Sequence, residues 1–138
     1  MKVVNCLSLL VVALVLASCS GGKYADVKAA MNEQVSAMDD FVARIDKAAG
    51  GKEIATAVSR YSEQTVRMLE QGKRLKEKYS DTDFENVPEL KEASAKLQQT
   101  AMKFGQAFMK ISTQYGSDPD VQAALAKWQE AMSRAGRP

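Results

Sequence analysis

Apolar side chains recur at steps of three or four residues along four segments of this chain. Because an α-helix turns once every ~3.6 residues, that spacing places the apolar side chains of each segment on one helical face. A helix with one apolar face must bury it against another element, so the pattern predicts an all-α fold. The segments run from Tyr24 to Ala49, from Ile54 to Tyr79, from Pro88 to Tyr115 and from Val121 to Ala135.

The connections between these segments predict the topology. Gly50-Gly51 ends the first helix, where we expect a left-handed cap, and Gly116 ends the third, with Ser117 or Asp118 capping the fourth. Short connections make successive helices antiparallel, and the heptad spacing, which is typical of a coiled coil, favours shallow crossings. We therefore expect an antiparallel up-down helical bundle of three long helices and a shorter fourth. A long hairpin that forms a homodimer through the same faces is the alternative.

Some inward positions of the predicted helices are not filled by large apolar side chains. Gln34 is the one polar residue on the inward face of the first helix. Gly72, Thr100 and Ala107 are small side chains at inward positions of the second and third helices. Small inward side chains leave room inside a bundle, so they favour a carrier or binding protein for a lipid or another apolar ligand.

The third predicted helix carries a basic strip. Lys96, Lys103 and Lys110 recur at seven-residue spacing, on one side of the helix. Such a strip is a candidate contact for anionic lipid headgroups or an acidic partner. The alternative is that these lysines flank the apolar face and extend into water.

The same helix also carries apolar residues outside its inward face. Met102, Gly105 and Met109 lie about 80 to 140° from that face, at ~100° per residue. We interpret them as a candidate face for an envelope protein partner. Flexible methionines that fill a core are the alternative interpretation.

The amino-terminal 18 residues, MKVVNCLSLLVVALVLAS, differ in character from the rest of the chain. Lys2 precedes an apolar run from Val3 to Leu16, which as a helix spans about 21 Å at ~1.5 Å per residue. That length is short of the ~30 Å hydrocarbon core of a bilayer, so the segment predicts a cleaved leader and not a membrane span. The run ends in Leu16-Ala17-Ser18-Cys19.

This combination resembles the lipobox signal peptide of bacterial lipoproteins, in which an aliphatic residue and two small residues precede a cysteine. The resemblance implies that Cys19 bears a diacylglycerol thioether, that residues 1–18 are a lipoprotein signal peptide, and that the new amino terminus also carries an acyl chain such as palmitate. An ordinary secretory signal cut near Ala17 is the alternative. Ser20 after the cysteine, in place of an aspartate, implies the outer membrane, with the protein facing the periplasm.

The composition of the remaining chain excludes several classes of function. The chain contains no histidine, which removes Ser-His nucleophile pairs and zinc or haem sites ligated by histidine. Lys2 is the one basic residue of the leader. The rest of the chain therefore carries 18 of the 19 Lys and Arg residues and all 17 Asp and Glu residues, so its positive and negative charges nearly balance. That balance does not favour a nucleic-acid partner. We therefore expect no enzyme, no catalytic residues, no metal site and no cofactor.

These observations predict a simple domain organisation. Residues 1–18 are the leader, residues 19–23 are the lipid-bearing cysteine and a short tether, and residues 24–136 are one helical domain. The predicted function is a non-enzymatic interaction or scaffold module of the cell envelope, anchored to the membrane through Cys19. The carrier for an apolar ligand is the alternative.

We expect the protein extracted from membranes to begin at Cys19 and to carry acyl groups, because two or more acyl chains hold a protein stably on a bilayer. Intact-mass analysis measures both features at once. In the variant Cys19→Ser we expect the mass of the unmodified precursor, whereas Cys6→Ser, a matched change within the leader, leaves the mature mass unaltered. An unmodified thiol at Cys19 of the wild-type protein would contradict the predicted anchor.

Overall fold

A computed structural model describes residues 22–136, and the predicted leader and Cys19 lie outside these residues. Four α-helices follow one another: α1 (Ala25–Lys47), α2 (Gly51–Lys78), α3 (Lys91–Tyr115) and α4 (Pro119–Ala135). Two 3-10 turns, Phe84–Asn86 and Pro88–Leu90, precede α3. No strand occurs within the described part of the chain. The predicted all-α fold is confirmed.

The helices form an up-down bundle, as predicted. α1 and α2 are antiparallel, since Asp26 at the start of α1 contacts Lys78 at the end of α2. The most extensive packing joins α2 to α4 and α1 to α3. The members of these pairs run in the same direction, because Ile45 and Lys110, which contact each other, both lie near the ends of their helices. The first three helices have 23, 28 and 25 residues and α4 has 17, so the fourth is the shortest, as expected.

The connection between α1 and α2 lies against the start of α4, at what we call the upper end. The predicted left-handed cap is wrong: Gly50 has an extended backbone with φ −167°, and no glycine among residues 22–136 has a positive φ. Gly51 leaves space for Asp118, because a Cβ at position 51 would overlap the side chain of Asp118 unless that side chain moved. Asp118 caps α4, accepting hydrogen bonds from the backbone N–H groups of Asp120 (3.0 Å) and Val121 (3.2 Å).

The third helix begins three residues later than the sequence predicts. Pro88 starts a 3-10 turn, and α3 begins at Lys91. Asp83 holds the preceding turn, its carboxylate accepting hydrogen bonds from the Glu85 backbone N–H (3.1 Å) and the Asn86 side-chain amide (2.7 Å). A short acidic side chain that bonds to nearby backbone favours a turn over a helix. This segment therefore folds across the lower end of the bundle, where Leu90 is buried.

An aromatic cluster joins all four helices in the upper part of the bundle. The ring centroids of Phe41 (α1), Tyr61 (α2) and Phe104 (α3) lie 5.0, 4.9 and 4.9 Å apart. Trp128 of α4 contacts Tyr61 edge-on at 5.6 Å and Phe108 of α3 at 5.7 Å. Aromatic pairs at such distances contribute about 0.5–1.5 kcal/mol each beyond the burial of their area. Buried aliphatic side chains complete this core: Ile45, Ile54, Val58, Ile111 and Val121.

Candidate functional site

The short α4 leaves the lower half of the bundle with three helices. Both α2 and α4 start at the upper end, where Gly51 adjoins Asp118. Since α4 has 17 residues and α2 has 28, α4 ends about 17 Å before α2 does, at ~1.5 Å per residue. Gly72 is exposed and Leu75 is half-buried, although both lie on the apolar face of α2.

A cleft of about 450 Å³ opens between α1 and α2 in this lower half. We call it the distal cleft. Its volume falls in the range of small-molecule sites, ~300–1,000 Å³. Its apolar wall is formed by Val27, Met31, Met68, Leu75, Tyr79 and Phe84. Gln34 and Gly72, the exceptions on the apolar faces of α1 and α2, also line it.

A second, smaller aromatic cluster closes the lower end of the distal cleft. The rings of Tyr24, Tyr79 and Phe84 contact one another, with centroids 5.3, 6.1 and 5.8 Å apart. Three buried side chains lie behind these rings: Val27, Val87 and Leu90. The cleft therefore lies between two apolar clusters, one at each end of the bundle.

Asp26 connects the start of α1 to the end of α2 beside the cleft. Its Oδ2 accepts a hydrogen bond from Lys78 Nζ at 2.7 Å, and its Oδ1 lies 2.8 Å from the Tyr79 hydroxyl. That hydroxyl also lies 3.0 Å from the Lys23 carbonyl oxygen, so two acceptors share its one proton. The hydrogen bonds from Lys78 and then from Tyr79 lower the pKa of Asp26 below its ordinary 3.8. These contacts orient Tyr79, whose side chain lines the cleft.

Asp40 makes a second connection between α1 and α2, nearer the upper end. Its Oδ2 accepts a hydrogen bond from Arg44 Nε at 2.8 Å and lies 3.3 Å from Arg60 Nε. The hydrogen bond from Arg44, with a smaller contribution from Arg60, lowers the pKa of Asp40 below its ordinary value. Asp40 is thus an ion-pair partner, and its neighbour Asp39 is exposed on another side of the helix.

The candidate partner face lies on the outside of α3. Met102 is 63% exposed and Met109 is 68% exposed, and both are large apolar side chains. Gly105 lies between them and is also exposed, and a Cβ at this position would meet no atom within 4 Å. We call these three residues the α3 ridge. Within residues 22–136 it is an apolar surface without a partner in the fold.

The lysines of the predicted basic strip have different surroundings. Lys96 and Lys103 are exposed. Lys110 is half-buried: its Nζ donates a hydrogen bond to the Ile45 carbonyl oxygen at 3.3 Å and lies 3.6 Å from Asp46 Oδ1. The Ile45 carbonyl belongs to the last turn of α1, whose carbonyl groups lack partners within the helix and favour a cation. Lys110 therefore has a role inside the fold, and anion binding by the strip stays a prediction.

Sequence reasoning found part of the distal cleft and missed the rest. Of the three small inward residues, Gly72 lines the cleft, whereas Thr100 (4% exposed) and Ala107 (5% exposed) are buried. The contribution of Phe84 to the wall of the cleft was missed, because Phe84 lies in the connection between α2 and α3, where apolar periodicity gives no information. The contact of Asp26 with the end of α2 was also missed. Its partners lie 52 and 53 residues away along the chain.

Comparison of the chain with protein-family models, with curated proteins and with solved structures found no match. Among residues 22–136, no helix has both the length and the apolar character needed to cross a membrane. The same part of the chain contains no cluster of three or more Cys, Asp or Glu side chains placed to hold a metal ion. The distal cleft, with its apolar wall, and the α3 ridge are our two candidate sites for a ligand or a partner.

We expect Asp26→Asn to flatten the acid dependence of stability. The lowered pKa of folded Asp26 means that its contribution to stability is present above its ordinary value of 3.8 and is lost as the pH falls through the folded value. Between about pH 5 and pH 2 the wild-type protein should therefore lose more stability than the variant. Urea unfolding at each pH, followed by the fluorescence of Trp128, measures this difference.

Asp39→Asn is the matched control, since it removes the same charge at an exposed position on the same helix. We expect Asp39→Asn to lose as much stability on acidification as the wild-type protein. If the free energy of unfolding fell equally with pH in the wild-type and Asp26→Asn proteins, the contact of Asp26 with Lys78 and Tyr79 would not contribute to stability.

Proposed function

We propose that this protein is a lipid-anchored, non-enzymatic interaction module of the cell envelope, held at the outer membrane, facing the periplasm, by acyl chains on Cys19. The lipobox-like sequence supports the anchor. Gly22, where the described chain begins, is three residues after Cys19, so at most ~11 Å of chain separates them. In this arrangement the lower end of the bundle lies next to the bilayer.

The α3 ridge is the observation that carries this proposal. Met102 and Met109 stand exposed one heptad apart on the same side of α3, so another apolar surface packed along this helix would remove both side chains from water. Gly105 between them allows a partner backbone to approach closely, because it has no side chain in the way. The partner with matching chemistry is an apolar helical face of another envelope protein, packed along α3.

We expect a photocrosslinking amino acid at position 105 to capture one discrete product in intact cells, since open space surrounds this position. The double variant Met102→Gln, Met109→Gln should abolish the product by removing the apolar contact. It should leave the urea midpoint nearly unchanged, because exposed side chains contribute little to stability. Gel mobility and mass spectrometry of the crosslinked species provide the measurement.

Crosslinker at Glu63, an exposed position on α2, is the control and should give no product. A product of twice the protein's mass would identify a second copy of this chain as the partner. The envelope-partner proposal fails if position 105 gives no product, or if the product persists when both methionines are replaced.

A second candidate function is the binding of an apolar ligand in the distal cleft. It is supported by the apolar wall of the cleft, which remains partly exposed because α4 ends before it reaches this region. The cleft is at the end of the bundle nearest the proposed anchor. A ligand drawn from the bilayer would therefore have a short path to it.

We expect a long-chain alcohol with a photoactivatable diazirine to label the cleft in the full-length protein purified from membranes. Gly72→Leu should remove this labelling, because the new side chain fills the cleft. No atom lies within 4 Å of a Cβ at Gly72, so the fold accommodates the change. Replacing a glycine within a helix should also raise stability by about 0.5–1 kcal/mol.

Gly105→Leu is the matched control, since it makes the same change at a helical position that is equally open but outside the cleft. It should leave the labelling intact. Label on peptides that contain Met31 or Met68 supports the proposal. Equal labelling of the Gly72→Leu and wild-type proteins would exclude the cleft as the binding site.

A further inference from the structure

The wall of the distal cleft carries one charge, and that charge is positive. Lys76 of α2 lines the cleft, and none of the residues that line it is an aspartate or a glutamate. The other polar side chains that line the cleft are neutral: Gln34, Gln71, Ser80 and Thr82. A ligand with a negative group therefore meets no like charge within the cleft.

Lys76 and Lys78 have different roles, although they stand two residues apart. Lys78 is bonded to Asp26 and so contributes to the closed lower end of the bundle. Lys76 is exposed, and it belongs to none of the ion pairs formed within residues 22–136. Its charge is consequently available to a ligand that enters the cleft.

The apolar and polar parts of the cleft are arranged along one direction. The lining residues on α2 and its C-cap extend from Met68 to Tyr79, which is about 17 Å at ~1.5 Å per residue. Met68, Leu75 and Tyr79 present apolar surface along this length, and Lys76 lies toward the lower end. A slender molecule with an apolar chain and one anionic group at its end matches this arrangement.

We infer that the distal cleft binds a single-chain anionic amphiphile, a long-chain fatty acid, with its carboxylate at Lys76 and its chain against the apolar wall. This inference rests on the second candidate function, binding of an apolar ligand in the cleft, and adds the class of ligand and the residue that selects it. The cleft's volume of about 450 Å³ suits one chain better than the two chains of a phospholipid.

Labelling by two photoactivatable probes of equal chain length, a fatty acid and the corresponding alcohol, tests this inference on the full-length protein purified from membranes. We expect the acid to label the cleft about three- to fivefold more strongly than the alcohol, because an ion pair with an exposed lysine strengthens binding only slightly. In the variant Lys76→Gln, labelling by the acid should fall to the level of labelling by the alcohol. Lys73→Gln removes the same charge one turn away, outside the cleft, and should preserve the preference.

The outcomes separate this inference from the function on which it rests. Equal labelling by both probes, or a preference for the acid that survives Lys76→Gln, would overturn the anionic ligand while leaving apolar binding in place. Failure of both probes to label the cleft would overturn the binding function itself. Stronger competition by a two-chain phospholipid than by unlabelled fatty acid would overturn the single-chain class.

Discussion

The aromatic rings in the upper part of the bundle are the contact on which the remaining packing depends, because they join all four helices at one level. Phe41, Tyr61, Phe104 and Trp128 each come from a different helix. These rings fix how α1, α2 and α3 are spaced at that level. Where α4 ends, α1 and α2 continue without it, and the distal cleft opens between them.

The two ends of the bundle are stabilised by different kinds of interaction. The upper end has a continuous apolar core whose members Ile45, Ile54 and Ile111 are fully buried. The lower end combines a small aromatic cluster with the hydrogen bonds that Asp26 accepts from Lys78 and Tyr79. Apolar burial hardly changes with pH, whereas a carboxylate contact does. Acid therefore weakens the contact of Asp26 with Lys78 and Tyr79 beside the cleft, and the ion pairs of Asp40 nearer the upper end, but leaves the buried apolar core unchanged.

Much of the fold follows from the sequence, because the apolar spacing is regular within each helix. The four helices and the short final helix were predicted, and the cap of that helix was predicted to be Ser117 or Asp118, of which the structure shows Asp118. The packing of α1 on α3 and of α2 on α4 was not, since periodicity identifies an inward face without identifying the helix that covers it. The left-handed cap expected at Gly50-Gly51 was wrong, since Gly50 is extended. The space at Gly51 is limited by Asp118, a residue distant along the chain, which local sequence does not show.

The candidate site was predictable only in outline. Gln34 and Gly72 break the apolar pattern, and both line the distal cleft, so the exceptions to the pattern indicated the position of this candidate site. The α3 ridge was predicted from its angular position, and Met102 and Met109 are exposed in the structure. The surroundings of Lys110 and Lys76 were not predictable, because they depend on residues of other helices that lie far away along the chain.

The pairing of the helices has a kinetic consequence. α3 and α4 are joined by a short turn, yet each packs mainly on a helix from the other half of the chain, as in the contact between Ile45 and Lys110, 65 residues apart. Closing so long a loop costs conformational entropy before the contact stabilises anything. This bundle should consequently fold more slowly than one in which every helix packs on its successor, and its second hairpin should acquire structure only by docking on the first.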